Sequence, residues 1–105
     1  MRTLNHPAKE DISLSAVLYA LSDNYRLEIV RRLAEQGELT CSGLALSAAK
    51  STLSHHFKVL REAGLIYSRT EGRECYNSLR QAELNERFPG LLSAVLTAAQ
   101  PLIEA

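Results

Sequence analysis

Cysteine is scarce in this chain of 105 residues: only Cys41 and Cys75 occur, far apart in sequence. That excludes a CxxC pair and a disulfide framework. Each thiol reads as a small apolar residue in a reducing compartment, the alternative being a redox-responsive role for the two. Long apolar runs are missing too. None approaches the ~20 residues that span a bilayer, so no membrane association is expected. The first eleven residues are polar and of both charge signs, unlike a secretory signal, and the expected location is the cytoplasm. No Gly-rich phosphate loop, nucleophile elbow, metal quartet or paired carboxylates occur, so neither an enzyme, a cofactor nor a metal site is expected. Internal repeats and low-complexity segments are also absent.

Net charge is lacking as well, since twelve cations balance twelve anions, which argues mildly against a nucleic-acid partner. The distribution argues the other way. Residues 50–80 hold Lys50, Lys58, Arg61, Arg69, Arg73 and Arg80 against Glu62, Glu71 and Glu74, a local balance of +3. The flanks together carry −3. A phosphate-binding surface belongs in the central third.

An apolar fraction of 46% is ordinary for a folded domain, and the length suits one domain with one modest core. Residues 1–10 read as a flexible arm, and 11–105 as a single domain. Leu14, Val17, Leu18 and Leu21 recur at helical spacing, predicting a helix over 11–21. Ser22-Asp23 breaks it and supplies a capping carboxylate. A second helix runs to about Gln36, with Leu27, Ile29, Val30 and Leu33 inward and Gly37 as its stop. Thr40 is the expected N-cap of a short third helix containing Leu44 and Leu46, and Ser47-Ala48-Ala49 is the turn after it.

The stretch from Lys50 to Ala63 is the most informative. Leu53, Phe57 and Leu60 form an apolar seam, while Ser51, Ser54, His55, Lys58 and Glu62 occupy the opposite face. Hydroxyls, an imidazole and an ammonium above such a seam suit insertion into a DNA groove. His56, about 60° off the seam, reads as a half-buried packing or backbone-bonding residue. Gly64 stops the helix. Two β-rich runs, 66–70 and 75–79, flank Glu71-Gly72-Arg73-Glu74 and predict a hairpin, with Tyr67 and Tyr76 as cross-strand partners. Helical composition returns from Gln81. Pro89 interrupts it and fits the first turn of a last helix over about 89–99, whose stripe is Leu91, Leu92, Val95 and Leu96. A short helix, a tight turn and a polar-faced helix over about 40–63, then a basic hairpin over about 66–79, make a winged helix-turn-helix. The fold class is mainly α with a small β-hairpin.

These residues resemble the ArsR/SmtB family of bacterial winged-helix repressors over nearly the whole chain. The resemblance rests on Ala20-Leu21-Ser22-Asp23, Arg26-Leu27-Glu28-Ile29-Val30, Glu38-Leu39-Thr40 and the run from Ser51 to Ile66. Within that run, the Ser-His-His, Leu and Ala-Gly-Leu pattern (Ser54 to Leu65) is its most specific part; Glu71-Gly72-Arg73 is similar to the family's wing tip. It implies a homodimer built on the first and last helices, an inverted-repeat operator and release by an inducer. Three departures stand out. Asn24-Tyr25 replaces a first-turn proline pattern, and Ala49 replaces a capping serine. Thr40 and Ser42 occupy positions where metal-sensing members have cysteines, and 90–105 contains neither the Asp nor the His ligands of other members.

The expected function is sequence-specific binding of double-stranded DNA by a homodimeric repressor without the family's usual metal sites. Ser51, Thr52, Ser54 and His55 are expected to contact base edges, and Lys50, Lys58, Arg69 and Arg73 to contact phosphates. First and last helices with apolar faces exceed what one small core absorbs, so Leu14, Val17, Leu18, Leu91, Leu92, Val95 and Leu96 are expected at the dimer interface. The rivals are a winged helix used only for protein–protein contact and a thiol-responsive regulator using Cys41 and Cys75. No inducer can be named.

Overall fold

The computed structural model describes residues 5–44 and 50–99, and of Lys50 and Ser51 the backbone alone. Its first helix, α1 (Leu14–Leu21), begins three residues later than the periodicity from Asp11 predicts. The reason lies at Ile12, which is 1% exposed. Lys9–Asp11 makes one 3-10 turn, Ile12 turns inward, and extended Ser13 then caps α1 by accepting a bond from the Ala16 N–H at 3.2 Å. Helix α2 (Asn24–Gln36) starts on Asp23, whose carboxylate accepts from the N–H groups of Tyr25 and Arg26. That cap serves where a first-turn proline is missing. Gly37, at φ 82°, closes α2 as expected.

The next segment departs from expectation. Leu39–Thr40 is a short strand, β1, and Ser42–Leu44 a single 3-10 turn, where a helix capped by Thr40 was expected. Thr40 does act as a cap, its hydroxyl accepting from the Gly43 N–H at 3.0 Å. Leu46 and the turn 47–49 lie outside the described residues. Helix α3 (Lys50–Ala63) follows, then strands β2 (Ile66–Glu71) and β3 (Glu74–Leu79). The sheet is three-stranded and antiparallel, in the order β1-β3-β2. In the register Tyr67 faces Ser78, and Tyr76 faces Arg69 and Thr40. The two tyrosines are thus not partners; Tyr67 stacks on His6 and Tyr76 lies under the Arg69 guanidinium.

Helices α4 (Gln81–Arg87) and α5 (Leu91–Ala98) complete the chain. Gly90, in the left-handed region at φ 84°, is the residue before α5; Pro89 therefore stands outside that helix rather than in its first turn. One core holds the elements together, formed by Ile12, Val17, Ala20, Ile29, Val30, Leu33, Leu44, Phe57, Leu60, Leu65, Ile66, Leu84 and Leu92. Gly64 serves the core twice. Its φ of 87° ends α3, and a Cβ there would stand 2.6 Å from the Ile12 side chain. Residues 5–11 join the same packing, although 1–10 reads as an arm: the Ser68 N–H donates to His6 Nε2 at 2.9 Å, Arg80 donates to the Pro7 carbonyl at 2.8 Å, and Lys9 pairs with Glu86.

Candidate nucleic-acid interface

Burial along α3 alternates as a helix over a core requires. His56, Phe57 and Leu60 are buried and Leu53 half-buried, while Thr52, Ser54, His55, Lys58 and Glu62 are exposed. Of the expected DNA-contacting set, Thr52, Ser54, His55 and Lys58 therefore share one outer face. The side chains of Lys50 and Ser51 lie outside the described ones.

The seat of α3 is unusually polar. Arg26, 6% exposed, donates to the carbonyls of Ala20 and Tyr19 at the end of α1, where a cation suits the helix dipole. Its Nη1 also lies 3.2 Å from His56 Nδ1. A guanidinium only donates, so Nδ1 must accept and the His56 proton sits on Nε2, which faces Asp23 at 3.9 Å. Burial holds the His56 pKa below its ordinary 6.5, opposed by the Asp23 carboxylate and reinforced by Arg26 and His55. Tyr25 stacks on the same ring at 5.7 Å. A neutral His56 thus ties α3 to the junction of α1 and α2. The sequence reading missed Arg26 and Asp23 as its partners; the only signal was their position beside the α2 cap.

The wing divides its cations. Gly72 has φ 62° and, among the described residues, no non-glycine residue has positive φ, the pattern of a II′ hairpin with glycine first. Arg73 sits exposed at that tip. Arg69 does not stand free: it donates to both oxygens of Glu38 and to Glu71 at 3.2 Å, and it lies 4.8 Å over the Tyr76 ring. Its charge is largely answered within the chain, because the wing passes the loop between α2 and β1. The Arg69 hydrogen bonds in turn hold the Glu38 carboxyl below its usual range. In sequence Glu38 stands out only within the family-like run Glu38-Leu39-Thr40, and nothing local marks it as the partner of Arg69.

The expected interface residues separate as well. Val17 and Leu92, 1% and 3% exposed, belong to the subunit's own core, since one side of each amphipathic helix must cover its neighbours. Leu91, Val95 and Leu96 are half-buried against that core. Leu14 and Leu18, 46% and 47% exposed, remain on the surface with Tyr19. Among the described residues, no three His, Cys, Asp or Glu side chains converge as metal ligands would, and no helix is long and apolar enough to cross a membrane.

Residues 23–68 match the family described as "Bacterial regulatory protein, arsR family". An uncharacterized HTH-type transcriptional regulator of Bacillus subtilis, YceK, is 40% identical over 82% of this chain and 89% of its own length. The arsenical resistance operon repressor of the same species is 38% identical over 73% of this chain and 71% of its own. The crystal structure of the transcriptional repressor BigR from Xylella fastidiosa superposes with a TM-score of 0.64 at 30% identity, over 83% of this chain and 88% of that one. These matches cover α2, α3 and the start of the wing, and the chain belongs to the ArsR family of winged helix-turn-helix transcriptional regulators.

Proposed function

We propose that this regulator is a homodimeric repressor that binds an inverted-repeat operator in the cytoplasm, placing α3 of each subunit in a major groove. The observation that carries the reading is the single exposed face of Thr52, Ser54, His55 and Lys58 above the buried seam of Phe57 and Leu60. A groove about 12 Å wide admits one helix, and hydroxyls and imidazoles match base-edge donors and acceptors. Thr52, Ser54 and His55, with Ser51, read bases. Lys58 and Arg73, with Lys50, hold phosphates, which sets register without reading sequence. Arg69 joins them only by exchanging Glu38 for a phosphate. Exposed Leu14 and Leu18 support pairing of subunits through α1, and two-fold symmetry then spaces the half-sites by about 34–36 Å or a multiple. At the positions corresponding to the metal-sensing cysteines, the Thr40 and Ser42 hydroxyls lie 3.2 Å apart and Thr40 caps the turn, which supports regulation without that metal site.

Selection of bound duplexes from a random pool identifies the operator, and isotherms on matched and scrambled duplexes test the roles. We expect His55→Ala to lose about 1–3 kcal/mol of discrimination and Lys58→Ala to weaken both duplexes alike. Each phosphate contact contributes about 0.9 to the logarithmic salt slope, so Lys58→Ala in both subunits should flatten it by about 1.8. Equal losses on both duplexes for His55→Ala would overturn its base-reading role. A salt-independent interaction would point to a protein partner through an apolar surface instead.

A further inference from the structure

We propose that Cys41 and Cys75 form a dithiol site that a hydroperoxide closes to a disulfide, tying the start of the helix-turn-helix to the wing and weakening operator binding. Three observations bring the sulfurs together. The β1–β3 register pairs Leu39 with Asn77 and Thr40 with Tyr76; continued by one residue it sets Cys41 opposite Cys75, and the Cys41 N–H donates to the Cys75 carbonyl at 2.9 Å. Asn77, two residues along β3 and so on the same face as Cys75, donates from Nδ2 to Cys41 Sγ at 3.4 Å.

The surroundings are those of a site rather than of two buried fillers. Asn77 is fully buried, and its Oδ1 accepts from the Ser68 hydroxyl at 2.7 Å. That bond fixes the amide with its N–H toward the Cys41 sulfur. Both cysteines are half-buried, open to a small oxidant and closed to a large one. Burial pushes the Cys75 thiol up to about 12, with Cys41 adding to the rise and Arg61 and Asn77 opposing it. Cys41, whose sulfur accepts the Asn77 amide bond, is the attacking sulfur and Cys75 the resolving one.

The chemistry balances with hydrogen peroxide as oxidant. The Cys41 thiolate attacks one peroxide oxygen; an S–O bond forms, the O–O bond breaks, and the leaving hydroxide takes up the proton Cys41 had released. The Cys75 sulfur then attacks the sulfenic sulfur of Cys41. An S–S bond forms, the S–O bond breaks, and the hydroxide leaves with the Cys75 proton as a second water. Two thiols lose two electrons and the peroxide gains them.

Directly opposed residues in such a pair have Cβ atoms about 4.5–5.5 Å apart, whereas a disulfide draws them to about 3.8 Å. Strand β1 ends at Thr40, so Cys41 is the side that moves and pulls the Ser42–Leu44 turn with it. This consequence for DNA rests on the operator-binding reading above; the bond itself does not. The test treats the full chain with hydrogen peroxide and then counts titratable thiols and measures intact mass. We expect no free thiols, a monomer lighter by two hydrogens, and restoration by dithiothreitol. Cys75→Ser should instead accumulate a Cys41 sulfenic acid trapped by dimedone. Two remaining thiols, a bond only between chains, or oxidation of Cys41 without Cys75 would overturn the site. Oxidised protein should bind a selected duplex several-fold more weakly than reduced; equal binding overturns the coupling. Should the reduced protein bind no duplex, the operator reading fails while the thiol count still decides the site.

Discussion

Lys58 and Arg69 carry the same formal charge into the same central third of the chain, yet the structure gives them different work. Lys58 stands exposed on α3, whereas Arg69 is held by Glu38, Glu71 and the face of Tyr76. Exposed ion pairs contribute little to stability, about 0–1 kcal/mol, so the effect of this one should appear in binding rather than folding. We expect Glu38→Gln to strengthen DNA binding at low salt and steepen its salt dependence, with melting temperature nearly unchanged. Fluorescence anisotropy over a salt series checks this; an unaltered slope would mean that Arg69 never meets phosphate. Charge counting reads Arg69 as a free cation because its partner Glu38 is 31 residues away.

Helix α3 shows how an element is positioned by groups that carry no apolar surface. His56 is locked neutral by accepting from Arg26, and Asp23 both caps α2 and faces the same ring. Because its pKa is depressed on folding, the unfolded chain binds the extra proton first. Stability is therefore full above the ordinary His value of 6.5 and declines as pH falls from there toward the lower folded pKa. Thermal melts between pH 7.5 and 5 should show this decline, and it should diminish in His56→Gln. Asp23→Ala removes a cap and should cost about 0.5–2 kcal/mol at neutral pH by chemical denaturation. A decline in His56→Gln as steep as in the parent chain would overturn this assignment, since Glu28, held below its ordinary 4.5 by its hydrogen bonds to Arg31 despite burial, loses its contribution only in more acidic solution.

For the whole molecule the question is which apolar surface remains once the subunit has folded. Val17 and Leu92 are used up inside; Leu14, Leu18 and Tyr19 are not. Scattered surface leucines are ordinary, but two of them one helical turn apart beside an exposed tyrosine make a contiguous strip on α1. We expect Leu18→Glu to shift the chain from dimer to monomer in analytical ultracentrifugation, to leave its circular dichroism unchanged, and to lower operator affinity sharply because a monomer reaches one half-site. Retention of the dimer would place the interface elsewhere, with α5 and its half-buried Leu91, Val95 and Leu96 as the next surface to test.

Local chemistry made the helices, their caps and the hairpin legible: the seam of Leu53, Phe57 and Leu60, the carboxylate at Asp23 and the glycines at 37, 64 and 72 are choices each residue makes with neighbours a turn away. The winged helix and the outer face of α3 follow from such patterns. Strand β1, the seat of His56, the occupation of Arg69 by Glu38 and the meeting of Cys41 with Cys75 do not. Each depends on residues some 30 or more positions apart, brought together when α3 packs on α2 and the wing pairs with β1. Periodicity reports which side of an element faces inward; it carries no record of what waits there, and for a cation or a thiol the identity of that neighbour is what sets its chemistry.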